Sequence, residues 1–174
     1  YFHIPFCDTL CWFCGCHTKI TQKYTPVNGY LAAISHEIAA VGGAVPMGAK
    51  VRHIHWGGGS PTMLEGKDIL RLAEATSSAF RLAEDCEFAV EIDPRGMDKP
   101  RIDALIEAGL TRVSIGVQDF DPEVQAAINR HQSVEETRGV IEAFRAHGVR
   151  SLNIDAIYGL PGQTEAKLMR TLDE

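Results

Sequence analysis

A chain of 174 residues, 45% hydrophobic and 23% charged, holds enough apolar material for one domain with a real core. Its formal net charge of −6, with no block of lysine or arginine, argues against nucleic acid as a partner. No apolar run reaches membrane-spanning length and no stretch reads as a signal peptide, so no membrane partner is expected and the cytoplasm is the expected compartment.

Tyr1 to Phe6 reads as a short strand that runs straight into the densest chemistry of the sequence. Cys7, Cys11, Cys14 and Cys16 are spaced C-x3-C-x2-C-x-C. Thiolates this close together suit zinc or an iron–sulfur cluster. Their clustering, unlike the spread of a disulfide framework, fits a reducing compartment. The first three are the informative ones: a tight loop can turn three thiolates onto three corners of a four-iron cluster and leave the fourth iron open. Structural zinc held by Cys7, Cys11, Cys14, Cys16 and His17 is the alternative. A zinc ribbon would bring a second, separated pair of ligands, and none is present.

Beyond the cysteines the chain alternates strand and helix. Thr25-Pro26 predicts a helix start, a capping residue followed by proline, with Tyr30, Leu31, Ile34 and Ile38 on one face and Gly42-Gly43 as the stop. A strand over 51–56 ends on Gly57-Gly58-Gly59-Ser60-Pro61, and a helix over 66–80 buries Ile69, Leu72, Ala73 and Thr76 or Phe80. A strand at 86–93 sets Phe88, Val90 and Ile92 on one face and Glu87, Ala89, Glu91 and Asp93 on the other. A helix over 99–108 is closed by Gly109, and a strand follows at 112–118. Asp121-Pro122 opens a helical segment, and Ser133 with Glu136 predicts a capping box for a helix to His147, closed by Gly148. A strand at 151–157 and a helix from Thr164 complete the series. Residues 108–115 and 147–154 form a weak internal repeat, each a helix stop feeding a strand.

The expected fold is therefore α/β, with parallel strands, about five β/α units and the sheet curled into a partial (β/α) barrel. In such folds chemistry gathers at the C-terminal ends of the strands. Here those ends carry the cysteine loop, the three glycines, Glu91, Gln118 and Asp155. One polar group at each strand end around one metal loop is the layout of a site for a polar cofactor. Taken singly, each feature has a plainer reading: the glycines mark a tight turn, and the carboxylates and amide satisfy core hydrogen bonds. Cys86 reads as a small buried hydrophobe, His3 as structural, and His53 and His55 as lacking a metal partner.

C-x3-C-x2-C after a first strand, with Phe13 just before the third cysteine, resembles the radical S-adenosylmethionine (SAM) superfamily. The stretches 1–7, 14–16, 55–62, 91–95, 116–120 and 153–161 are similar, in order, to the oxygen-independent coproporphyrinogen III oxidase family. This resemblance implies a partial barrel of the radical SAM type, with residues 1–174 as one core domain, incomplete at both ends and short of the family's last β/α unit. It implies that Cys7, Cys11 and Cys14 hold a 4Fe-4S cluster and that SAM chelates the open iron. Tyr1, Gly58, Glu91, Gln118, Arg130 and Asp155 match positions that bind this SAM. Phe13, Gly59 and Ser60 match positions for a second SAM molecule, Ser60 replacing a more frequent threonine.

The implied reaction is oxidative decarboxylation of two propionates of coproporphyrinogen III to vinyl groups through a 5′-deoxyadenosyl radical, giving protoporphyrinogen IX, a step of heme biosynthesis. An electron donor that the sequence does not name and a monomeric state come with it. A heme-chaperone branch of the same superfamily, another tetrapyrrole-acting radical enzyme and a zinc-stabilised binding domain are the rival readings. Cys16, Asp93-Pro94-Arg95 and Gln118-Asp119-Phe120 favour the oxidase.

Overall fold

A computed structural model describes residues 1–174. Its frame is a five-stranded sheet in the order β1 (Phe2–Ile4), β4 (Val51–Gly58), β5 (Leu82–Ile92), β6 (Arg112–Gln118) and β7 (Ser151–Ala156), with every neighbouring pair parallel. Sequential order with one helical crossover after another is the arrangement of a curling α/β sheet, as expected. The predicted first strand is divided in two. Pro5, which has no N–H to give a ladder, separates β1 from β2 (Phe6–Cys7). β2 then pairs in parallel with the short β3 (Lys19–Ile20), and the two strands clip together the base of the cysteine loop.

The helices are α1 (Thr25–Ala44), α2 (Gly66–Ala79), α3 (Lys99–Glu107), α4 (Pro122–Ile128), α5 (Val134–Ala146) and α6 (Glu165–Asp173). Alternation sorts the sheet residues: Phe88, Val90 and Ile92 of β5 and Val113, Ile115 and Val117 of β6 are buried in one core with Leu31, Ile69, Leu72, Leu105 and Phe144 of the helices. The opposite, concave face takes the residues between them. Its register lines up Glu91, Ser114 and Asn153 in one row and Gly116 with Asp155 in the next. The internal repeat has a spatial meaning, because the offset that aligns 112–115 with 151–154 in sequence is also the β6–β7 register. Gly109 and Gly148, which close the preceding helices, both adopt a positive φ, +88° and +86°.

Three boundaries differ from expectation. Tyr24, not Thr25, is the N-cap of α1, and it makes no side-chain capping bond. The helix continues through Gly42-Gly43 and is followed by Pro46. Gly42 serves helix packing instead, since a Cβ there would stand 2.8 Å from the Ala79 carbonyl oxygen of α2. β5 begins at Leu82, four residues early, where it pairs with Val51 ahead of a register shift in β4. Of the predicted capping box only one half forms, Ser133 Oγ accepting from the Glu136 N–H at 3.0 Å, while Asp98, Asp121 and Thr164 cap their helices in the same way and Glu65 at the start of α2 makes no side-chain cap. No helix is long and apolar enough to cross a membrane.

Candidate active site at the strand ends

The C-terminal ends of the strands surround a cavity of about 170 Å³. Cys7, at the end of β2, opens the loop that carries Cys11 and Cys14 into its wall. The loop is fixed from both sides. At its base the Lys19 N–H donates to Pro5 O at 2.8 Å and the Thr21 N–H to Cys7 O at 2.9 Å. At its tip the Trp12 N–H donates to Ile128 O at 2.9 Å, and Asn129 Nδ2 to Leu10 O at 2.8 Å. Asn129 sits at a φ of +54°, the left-handed C-cap of α4, a conformation asparagine tolerates better than most residues.

All five cysteines are free thiols. Each of the three predicted cluster ligands already has a protein donor. Thr18 Oγ1 donates to Cys7 Sγ at 3.3 Å, the Cys16 N–H to Cys14 Sγ at 3.4 Å, and Arg95 Nη2 and Arg130 Nη1 each to Cys11 Sγ at 3.7 Å. Donors aimed at sulfur suit thiolate ligands. Three thiols on one loop, all lining the cavity and each met by a protein donor, are a ligand set that fits an iron–sulfur cluster.

Most of the other predicted site residues line the same cavity: Phe13, Gly58, Gly59, Ser60, Glu91, Gln118, Arg130 and Asp155. Glu91 accepts from the Gly58 N–H at 3.1 Å and from His55 Nε2 at 3.1 Å, which gives His55 a partner the sequence did not suggest. Asp155 accepts from Ser114 Oγ at 2.9 Å and Asn153 Nδ2 at 2.7 Å, resolving the parity of β7 in favour of an inward carboxylate. Gln118 ends β6 at a φ of +71°, past a register shift. Ser60, buried, shares a hydrogen bond of 2.6 Å with Thr62. Phe13 also leans on a small apolar cluster of Val124, Ile128 and Leu160.

The fold itself also requires a glycine at position 58: its φ is +109°, and a Cβ would stand 2.5 Å from His3 Nδ1. Tyr1 stands apart from the cavity. It is 71% exposed, stacks on His55 with ring centroids 5.6 Å apart, and its hydroxyl meets His3 Nδ1 at 3.1 Å. Tyr1 and His3 line a different and larger cavity, about 610 Å³, between β1 and α1. That groove is mainly apolar and contains none of the thiols, so size does not make it the reactive site.

Two further residues belong to the thiol cavity, Asp93 and Arg95. Asp93 receives Arg95 through Nε at 2.9 Å and Nη2 at 2.6 Å, and Arg130 through Nη1 at 3.1 Å. Burial works against its ionisation, but the hydrogen bonds from Arg95 and the charges of Arg130 and Arg95 prevail and hold the carboxyl below its ordinary value. Arg130, with a side chain 7% exposed, also donates from Nε to Gln132 Oε1 at 3.0 Å and from Nη2 to Gly116 O at 2.7 Å. Of its five N–H groups only one, on Nη2, remains without a protein acceptor.

Among known proteins, the chain is 48% identical over all 174 residues to an oxygen-independent coproporphyrinogen III oxidase of Cereibacter sphaeroides, of which it spans 38%. The solved structure of coproporphyrinogen III oxidase from Escherichia coli, described as a radical SAM enzyme, superposes with a TM-score of 0.95 at 40% identity, over 99% of this chain and 40% of that one. A radical SAM methyltransferase from Kitasatospora setae shares the fold, with a TM-score of 0.67 at 16% identity over 99% of this chain and 34% of that one. The chain thus spans less than half the length of these relatives. The family match itself runs from residue 1 to residue 174, and with it the strand-end thiols acquire their context: the chain belongs to the radical SAM superfamily.

Proposed function

We propose that residues 1–174 act as the radical SAM core domain of an oxygen-independent coproporphyrinogen III oxidase, converting two propionates of coproporphyrinogen III to vinyl groups. The observation that carries this reading is the likeness to the Escherichia coli oxidase, 40% identical over 99% of this chain. Its substrate is the one named in those relatives. The electron donor is left to be identified, and a whole oxidase that is a monomer in the cytoplasm without nucleic-acid or membrane partners is the accompanying expectation.

In this reading Cys7, Cys11 and Cys14 hold the 4Fe-4S cluster. When bound, the cluster and SAM together supply one-electron chemistry that the protein's own side chains lack. The work of the chain is placement and exclusion. Asp155 and Glu91 present carboxylate acceptors to hydroxyl and amine donors of SAM, and Gln118 adds an amide with both donor and acceptor. Each carboxylate is oriented in advance by neighbours, Glu91 by His55 and the Gly58 N–H, Asp155 by Ser114 and Asn153. Arg130 can offer a SAM carboxylate its one free N–H, so most of its role is to fix Asp93, Gly116 and the wall around Cys11. Phe13, Gly59 and Ser60 are assigned to the second SAM, and Tyr1, stacked on the His55 that holds Glu91, to the first.

Anaerobic reconstitution with iron and sulfide, followed by electron paramagnetic resonance with and without SAM, tests the assignment. A reduced four-iron signal that changes on adding SAM is expected. Alanine at Cys7, Cys11 or Cys14 should abolish it, whereas Cys16→Ala should leave it intact. Tight zinc without a cluster would sink the radical reading. A cluster with stoichiometric heme binding and no porphyrinogen decarboxylation would transfer the assignment to the chaperone branch.

A further inference from the structure

The three ligand sulfurs differ in the charge of their donors. Cys7 and Cys14 are met by neutral groups, the Thr18 hydroxyl and the Cys16 backbone N–H. Cys11 is met by two guanidiniums, Arg95 and Arg130, each 3.7 Å from its sulfur. Both guanidiniums are locked by the carboxylate of Asp93, which takes Arg95 through a forked pair of bonds and Arg130 on the same Oδ2 that holds Arg95 Nη2. The Asp93, Arg95 and Arg130 side chains are 18%, 19% and 7% exposed, so solvent screens the group little. Two positive charges against one negative leave one positive charge in excess beside one corner of the site.

We infer that Arg95, held by Asp93 alongside Arg130, is a positioning residue that sets the reduction potential of the cluster through the sulfur of Cys11. This rests on the cluster assignment proposed above. Reduction adds one negative charge to the cluster, and a fixed, poorly screened positive charge near a ligand sulfur stabilises that reduced form. Hydrogen bonds to sulfur and local charge are among the levers that tune such potentials. Asp93 has two opposed effects: it orders the guanidiniums and it cancels one of their charges.

That opposition makes the inference testable by sign. Potentiometric titration of the reconstituted protein, followed by electron paramagnetic resonance, compares wild type with Arg95→Gln, Arg95→Lys and Asp93→Asn, with iron and sulfide content measured for each. Arg95→Gln removes a positive charge and shifts the midpoint to a more negative potential. Arg95→Lys keeps the charge and stays closer to wild type. Asp93→Asn removes the negative charge but keeps an amide oxygen to accept from the guanidiniums, and shifts the midpoint the other way. Should Arg95→Gln fail to hold a cluster, the opposite shift in Asp93→Asn still decides the matter. Clusters that assemble with unchanged midpoints, or shifts of the same sign in Arg95→Gln and Asp93→Asn, overturn the inference while leaving the cluster assignment standing. A wild-type protein that takes up no cluster overturns both.

Discussion

Gly58 is held in place by two constraints at once, its left-handed φ of +109° and the imidazole of His3 where a side chain would go. Gly58→Ala should therefore lose about 1–3 kcal/mol of stability from backbone strain, measurable in denaturant titrations. Combining it with His3→Ala should cost less than the sum of the two changes, because the clash disappears with the ring. Full additivity would mean that strain alone is at work. The glycine run was visible in the sequence, but its reason was not, since His3 lies on another strand. The same limit applies to the group around Cys11. The cysteines advertise themselves through local spacing. Arg95 and Arg130, by contrast, are far apart in sequence, and only the path of the chain through α3, β6 and α4 brings them to one sulfur.

At the scale of elements, α4 is a short helix whose end tethers the cysteine loop. Asn129→Gly keeps the left-handed cap yet removes the bond to Leu10 O, whereas Asn129→Ala also adds backbone strain. Cluster retention under mild chelation should fall in both variants, and thermal stability more in the alanine. Equal stability in the two would show that the cap conformation carries no strain here.

The tyrosines at the start of α1 offer a pH test. Burial raises the phenol of Tyr30, which donates to His3 O, to about 12, and burial also raises that of Tyr24. A folded-state value above the unfolded one means stability is complete below the ordinary 10.0 and is lost as pH climbs through the folded value. Thermal midpoints should thus fall on the alkaline side, and less steeply in Tyr30→Phe. Elements such as these were legible because apolar spacing and capping residues are local signals. The end of α1 was misread because a glycine pair signals a stop and a close helix contact equally well, and only Ala79 across the interface separates the two.

Over the whole molecule, the sheet has two open edges, β1 and β7, and the second is the more exposed. Ile154 of β7 is 48% exposed, and Tyr158, Met169 and Leu172 follow it at 86%, 49% and 59%. An unpaired strand edge beside exposed apolar side chains favours edge-to-edge association. The 174-residue chain should show concentration-dependent self-association in analytical ultracentrifugation, reduced by Ile154→Lys. A monodisperse chain with a cooperative thermal transition would contradict this. The strand order followed from the sequence because a helical crossover, of one helix or, between β6 and β7, of two, separates successive strands of the sheet, which leaves parallel neighbours as the simplest outcome. What the order could not supply was the degree of cover at each edge, a property of surfaces that pair far apart in sequence.

The clip between β2 and β3 has a consequence for how metal enters. A loop whose ends are free must lose conformational entropy when its ligands converge, and part of the metal's binding energy is consumed in closing it. Here residues 8–18 are already closed at the base by strand pairing and held at the tip by the end of α4. The strand pairing and the bonds from α4 bear part of that entropy cost, so less of the binding energy of a cluster held there would be spent on closing the loop, and more would add to the stability of the native state.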